Sequence, residues 1–146
     1  LGWQVPTDRG GSWTTTLSHY SYPEQPSYLD YDYNELTVAW HTGNGFSATL
    51  GANDNFYNWE RDSRFVETAY ELAVNEQLLF NAGLGYHDTG DPLGRNYRYW
   101  HLGLARMFDR ITVDLSLVGT DDNAERIFDD RATGRRWVLN VVLNLF

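Results

Sequence analysis

The stretch RITVDLSLVGT, residues 110–120, places Ile111, Val113, Leu115 and Leu117 on one side of an extended chain and Thr112, Asp114, Ser116 and Thr120 on the other. Only Val118 departs from the alternation. Successive side chains of a strand point to opposite faces, so a period of two predicts a strand with one apolar and one polar face. The same pattern sets Phe46, Ala48, Leu50 and Ala52 against Ser47, Thr49, Gly51 and Asn53. It recurs with Leu36, Val38 and Trp40 against Glu35, Thr37 and His41. Dividing the chain at turn chemistry gives eight strand-length segments, roughly 12–22, 31–41, 45–54, 64–74, 77–87, 97–108, 110–120 and 135–146, within one domain, 1–146.

The connections carry a second signal. Thr42-Gly43-Asn44-Gly45, Val74-Asn75-Glu76-Gln77 and Phe108-Asp109-Arg110 read as tight turns. Stretches 23–30, 55–63, 88–96 and 121–134 are long, polar and rich in Pro, Gly, Asp and Asn. Short and long connections alternate, as they do between the two rims of an outer-membrane barrel. The expected fold is therefore all-β: an antiparallel up-and-down transmembrane β-barrel, with both chain ends on the short-turn rim. Residues 64–85 are the weakest part, because FVETAYELAVNEQLLFNAGL is rich in helix formers. Two strands are still expected there, since Val66, Thr68, Tyr70 and Leu72 alternate with Glu67, Ala69 and Glu71, and Phe80, Ala82, Leu84 and Tyr86 with Asn81, Gly83 and Gly85.

Composition narrows the alternatives. A net charge of -9 and a pI near 4.7 argue against a nucleic-acid partner, which needs clustered Lys and Arg. Without Cys there are no disulfides, thiolate metal sites or Cys nucleophiles. No apolar run reaches the roughly 18 residues of a membrane helix, and the mean hydropathy is -0.52. A membrane barrel shows lipid only at every second residue, so polar mean hydropathy is compatible with it. The chain opens at Leu1 without a signal-like stretch, so any export signal is expected to have been removed or never included.

SHYSYPEQPSYLDYDYNELTVAW, RFVETAYELAVNEQLLFNAGLGYHDTGD, YWHLGLARMFDRITVDLSLVGTDD and the closing GRRWVLNVVLNLF together cover most of the chain from about Ser18. On these stretches the chain resembles the TorF-family porins, proteobacterial outer-membrane proteins. The resemblance implies location in the outer membrane of a Gram-negative bacterium, with the lipid bilayer, lipopolysaccharide and the outer-membrane assembly machinery as partners. It also implies porin-like passage of small solutes. The family's chains have more strands upstream, so the sequence corresponds to the C-terminal part of a larger barrel unless its eight strands close by themselves. The terminal aromatic Phe146 is the expected assembly signal, although the apolar row Trp137, Leu139, Val141, Leu143 and Leu145 lies on the opposite face from it.

The polar faces collect Glu35, His41, Glu67, Glu71, Asn81, His87, His101, Thr112, Asp114 and Asn140, which are expected to line the interior. In a closed eight-stranded barrel they pair and fill it; in a wider one, their acidic excess selects cations. Two aromatic girdles are expected, with Trp13, Trp40, Phe46 and Phe108 toward the short turns and Tyr22, Tyr33, Tyr86, Trp100 and Trp137 toward the long loops. Arg106 shares a face with Leu102, Leu104 and Phe108 and is expected to snorkel to the rim.

A non-conducting barrel that anchors a partner assembly is the alternative function. A remoter one is a membrane-facing hydrolase, because His19 and Ser21 resemble the His-Tyr-Ser of lipid A deacylases, though without the Asn-Ala-Gly that should follow. No enzyme activity, cofactor or metal is expected, as the four His lack zinc-like spacing and no Gly-rich phosphate cradle opens a helix. The acidic loops, with Asp30, Asp32, Asp54, Glu60, Asp88, Asp91, Asp121, Asp122, Glu125, Asp129 and Asp130, offer oxygen ligands of the kind calcium takes, chiefly over 121–130.

Overall fold

The computed structural model describes residues 1–8, 10–23, 32–55, 61–90, 96–128 and 133–143. It is all-β, with nine antiparallel strands in a single sheet whose spatial order follows the sequence. The strands are β1 (Gly2–Pro6), β2 (Ser12–Tyr20), β3 (Tyr33–His41), β4 (Phe46–Asn53), β5 (Ser63–Asn75), β6 (Leu78–Asp88), β7 (Tyr97–Met107), β8 (Ile111–Thr120) and β9 (Arg136–Leu143). Among the described residues β1 and β9 each pair on one side only, so the sheet is open.

Strands β2 to β9 correspond to the eight expected segments, and β1 is additional. Gly2–Pro6 offers only Trp3 and Val5 as an alternating pair and ends in Pro, which leaves little for periodicity to register. Pairing with β2 from Gly2↔Thr16 to Pro6↔Ser12 makes it a strand, and an edge position accommodates a residue without an N–H. This strand carries Leu1 up the sheet, where the terminal amine donates to Leu17 O at 2.7 Å, away from the short-turn rim expected for both ends. Residues 64–85 form β5 and β6 despite their helix formers. The pairing from Arg64↔Asp88 to Ala73↔Leu79 satisfies two rows of backbone groups at once, and this long-range gain outweighs a propensity of tenths of a kcal/mol per residue.

The short turns join β3 to β4, β5 to β6 and β7 to β8, and β1 meets β2 on the same rim, where the Thr7 amide donates to Gly11 O at 2.8 Å. In the first, the Phe46 amide donates to Thr42 Oγ1 at 3.0 Å and Gly45 takes φ 90, a conformation that favours glycine. Asn75 accepts from the Gln77 amide at 2.9 Å and closes the second. The strand ends that the long connections join lie at the other rim. The last contains a four-residue helix, α1 (Asp122–Glu125), capped by Asp121, whose carboxylate accepts from the Ala124 amide.

The register sorts side chains into two faces. One carries Leu17, Leu36, Leu50, Val66, Leu84, Leu102, Leu115 and Leu139; the other carries Thr16, Thr37, Gly51, Phe65, Gly85, Tyr99, Ser116 and Val138. Exposure follows the faces in the reverse of a water-soluble sheet. Leu84, Leu139 and Leu50 are 68%, 64% and 62% exposed, whereas Ser116 and Ala105 on the other face are 8% and 7% exposed. Among the described residues no second layer of strands or helices covers the sheet, and the polar-side groups shelter one another.

Candidate functional site: the polar face of the sheet

The register places Glu35, His41, Glu67, Glu71, Asn81, His87, His101, Thr112, Asp114 and Asn140 on this one face. Three hydrogen-bonded groups organise it. In the first, Asp114 Oδ2 accepts from Asn81 Nδ2 at 3.1 Å, and its Oδ1 accepts from Ser116 Oγ at 2.7 Å and from Asn140 Nδ2 at 3.5 Å. The Asn81 bond runs from β6 to β8, across β7. Adjacent strands lie about 4.8 Å apart, so that span is roughly 10 Å at the backbone. Gly103 on β7 makes it feasible, since a Cβ there would collide with both Ser116 Oγ and Asn81 Oδ1.

The second group repeats the device. Tyr99 on β7 donates to Glu67 Oε1 on β5 at 2.5 Å. Gly85 on β6 lies beneath the ring, and a Cβ there would clash with it. Phe65 likewise covers Gly51, and His101 covers Gly83. On the apolar face Trp100 covers Gly119. Each of these pairs is a cross-strand register pair: Gly51↔Phe65, Gly83↔His101, Gly85↔Tyr99 and Gly119↔Trp100. The ring occupies the volume that the glycine leaves empty.

The third group lies near the long-loop rim and spans four strands. The Ser63 hydroxyl donates to Asn53 Oδ1 at 2.9 Å and lies 2.9 Å from His87 Nε2, while the Tyr97 hydroxyl is 3.1 Å from His87 Nδ1. A neutral His87 with its proton on Nε2 orders these contacts in one direction, from Tyr97 through His87 and Ser63 to Asn53. The Ser–His distance suits a nucleophile and its base, but Ser63 is only 1% exposed, so a substrate has no approach to its Oγ. The group is a structural polar network. Rings extend it: His87 stacks on Tyr97 at 5.3 Å, and Phe128 beyond α1 meets Tyr97 edge-on at 5.3 Å.

The aromatics expected to form two girdles separate by rim. Trp13 stacks on Trp40 at 5.9 Å, and Trp40 meets Phe46 at 6.0 Å, a continuous apolar-face cluster across β2, β3 and β4 on the short-turn side. Arg106 lies over the Phe108 ring at 5.1 Å, a cation–π contact at that same rim. Tyr86, Trp100 and Trp137 stand on the apolar face toward the long loops. Tyr33 does not join them. It faces the polar side and stacks between Tyr20 at 4.5 Å and Tyr22 at 6.5 Å, because Glu35 two residues on fixes its parity.

His19 Nδ1 contacts Asn34 Oδ1 at 3.0 Å, and Ser21 Oγ donates to Asp32 Oδ2 at 3.2 Å, so each has a different partner. The Asp121 carboxylate accepts backbone amides from Arg98 and Ala124. Among the described residues no three His, Cys, Asp or Glu converge to hold a metal ion. Asp30, Glu60, Asp91, Asp129, Asp130 and the expected assembly signal Phe146 lie outside the described residues. Asp54, just past β4, accepts from Asn34 Nδ2 at 2.7 Å and from the Asn34 amide at 2.8 Å. These bonds, the side-chain one first, hold its carboxyl below the ordinary carboxylate range. The chain matches no family model, no curated protein and no solved structure.

Proposed function

We propose that the sheet is part of the wall of an integral β-barrel in the outer membrane of a Gram-negative bacterium, and that the barrel passes small solutes as a porin does. The observation that carries this reading is the reversed exposure. Large apolar side chains from β1 to β9 stand exposed on one face, while hydrogen-bonded polar groups are sheltered on the other. Water would not tolerate so wide an apolar surface on a monomer, whereas hydrocarbon favours it. The aromatic clusters near both rims fit the two membrane interfaces. The resemblance to TorF-family porins points to the same compartment.

Strand direction constrains the closed form. Directions alternate along the meander, so β1 and β9 run the same way and would pair in parallel. An all-antiparallel barrel containing this sheet needs an odd number of further strands, in keeping with the even totals of bacterial outer-membrane barrels. In such a wider barrel Glu35, Glu67, Glu71 and Asp114 face the interior and favour cations. A non-conducting barrel that anchors a partner is favoured by one observation: Glu67 and Asp114 are already engaged by neighbours across the face.

Planar-bilayer recording separates the two. Porin-like passage gives stepwise conductance with a cation preference that falls in Glu35→Gln. A flat trace from protein that has inserted overturns the pore and leaves the anchoring barrel.

A further inference from the structure

The polar face sets one aromatic ring between two carboxylates. Phe65 on β5 lies across Gly51 of β4, where a Cβ would come within 2.1 Å of its Cζ, so the backbone covers one face of the ring and the other looks out from the sheet. Gly51 pairs directly with Thr37 and Phe65, which makes Glu35 on β3 and Glu67 on β5 its diagonal neighbours, each about 7–8 Å away. The carboxylates thus flank the ring on opposite sides, Glu35 one step toward the long-loop rim and Glu67 one step toward the short turns.

The two are held differently. Glu67 Oε1 accepts from the Tyr99 hydroxyl at 2.5 Å, which fixes the group and leaves Oε2 to accept elsewhere. Glu35 is half-buried and, among the described residues, has no hydrogen-bond or ion-pair partner. Tyr33 stands two residues from it on the same face, so a second ring borders the same carboxylate. Cations are scarce around them. The chain contains no Lys, and Arg64, Arg98 and Arg106 project to the apolar face. Arg136 is on the polar face but at the far edge, on β9, where its guanidinium donates to Thr133 O.

We infer that Phe65, Glu35 and Glu67 form a seat for the ammonium group of an organic cation, the ring receiving its alkyl hydrogens and the two carboxylates its charge. The inference rests on the porin reading above and narrows the solute class. A small inorganic cation keeps its water shell and needs only the carboxylates. The ring adds attraction for an alkylammonium ion, whose charge is spread over carbon-bound hydrogens that pack against an aromatic face. A half-buried carboxylate without a partner, beside a ring open on one side, is the charge and shape complement of that ion.

The test folds the chain into uncharged alkyl-maltoside micelles, with folding checked by gel mobility before and after boiling. Tetramethylammonium chloride is then titrated in by isothermal calorimetry against potassium chloride in excess. Wild type binds tetramethylammonium saturably. Phe65→Leu keeps an apolar cover over Gly51 and lowers the affinity about fivefold, the order of one cation–π contact. Glu35→Gln, which breaks no hydrogen bond among the described residues, also lowers it. Unchanged affinity in both variants, or no saturable binding by wild type above the potassium background, overturns the seat and leaves the porin reading to the conductance recording. Saturable binding by a chain whose bilayer trace is flat upholds the seat and overturns the pore.

Discussion

Tyr99 and Glu67 are hydrogen-bonded across an intervening strand, and the bond exists because Gly85 between them has no side chain. The sheet is thus held partly through contacts that skip a neighbouring strand. Substituting Gly85→Val pushes the Tyr99 ring aside and frees the Glu67 carboxylate. The expected loss is about 1–3 kcal/mol, the cost of overpacking together with a lost hydrogen bond. Tyr99→Phe removes the bond alone and should cost less. Urea unfolding in lipid vesicles, followed by tryptophan fluorescence, ranks the two; equal stability of Gly85→Val and wild type would contradict the close approach.

Asp114 gathers three donors from three strands. Asp114→Ala leaves Asn81, Ser116 and Asn140 without their common acceptor and is expected to cost about 1–3 kcal/mol. Asp114→Asn keeps an acceptor and is expected to lose less. The same unfolding measurement decides between them.

The apolar face makes a lipid-specific prediction. Leu102→Arg, midway along β7, should cost about 2–4 kcal/mol in a bilayer. Thr49→Arg, on the polar face opposite Glu67, should be tolerated. Folding yield into vesicles, read from the shift in gel mobility between unboiled and boiled samples, checks both; equal yields would assign the exposed leucines to something other than hydrocarbon.

Asp54 ties its stability contribution to pH. The folded carboxyl titrates below the unfolded value because the charged form accepts two bonds from Asn34. Its contribution is therefore fully present above the ordinary carboxylate value of about 4 and is lost as pH falls through the lower folded value. Asn34→Ala should flatten this dependence, and solvent exposure keeps the effect small. Unfolding curves for the two proteins that run parallel between pH 6 and pH 2, in roughly that interval, would remove the claim.

Alternation carried most of the architecture. Ile111 to Leu117 and Phe46 to Ala52 announced their faces residue by residue, and the same parity placed all ten polar-face candidates together. The segment around Val74 and Asn75 held against its helix formers because periodicity reflects burial, whereas propensity reflects only the isolated chain. Legibility failed where structure depends on neighbours. Gly2–Pro6 is a strand only because β2 offers it partners, and Tyr33 reads as a girdle ring until the register fixes its side. The pairing of Asn81 with Asp114 is invisible in either segment alone, since it depends on register through β7. The short α1 escaped notice because four residues show no period.

The four glycine and ring pairs have a bearing on how such a chain drifts. At Gly51 and Phe65, Gly83 and His101, Gly85 and Tyr99, and Gly119 and Trp100, a change at one member alone creates either a clash or a hole. Each pair is thus a single heritable unit written at two distant places in the gene. Among descendants of this sequence its two positions should change together or keep their residues, while the polar residues of the long loops vary freely around them.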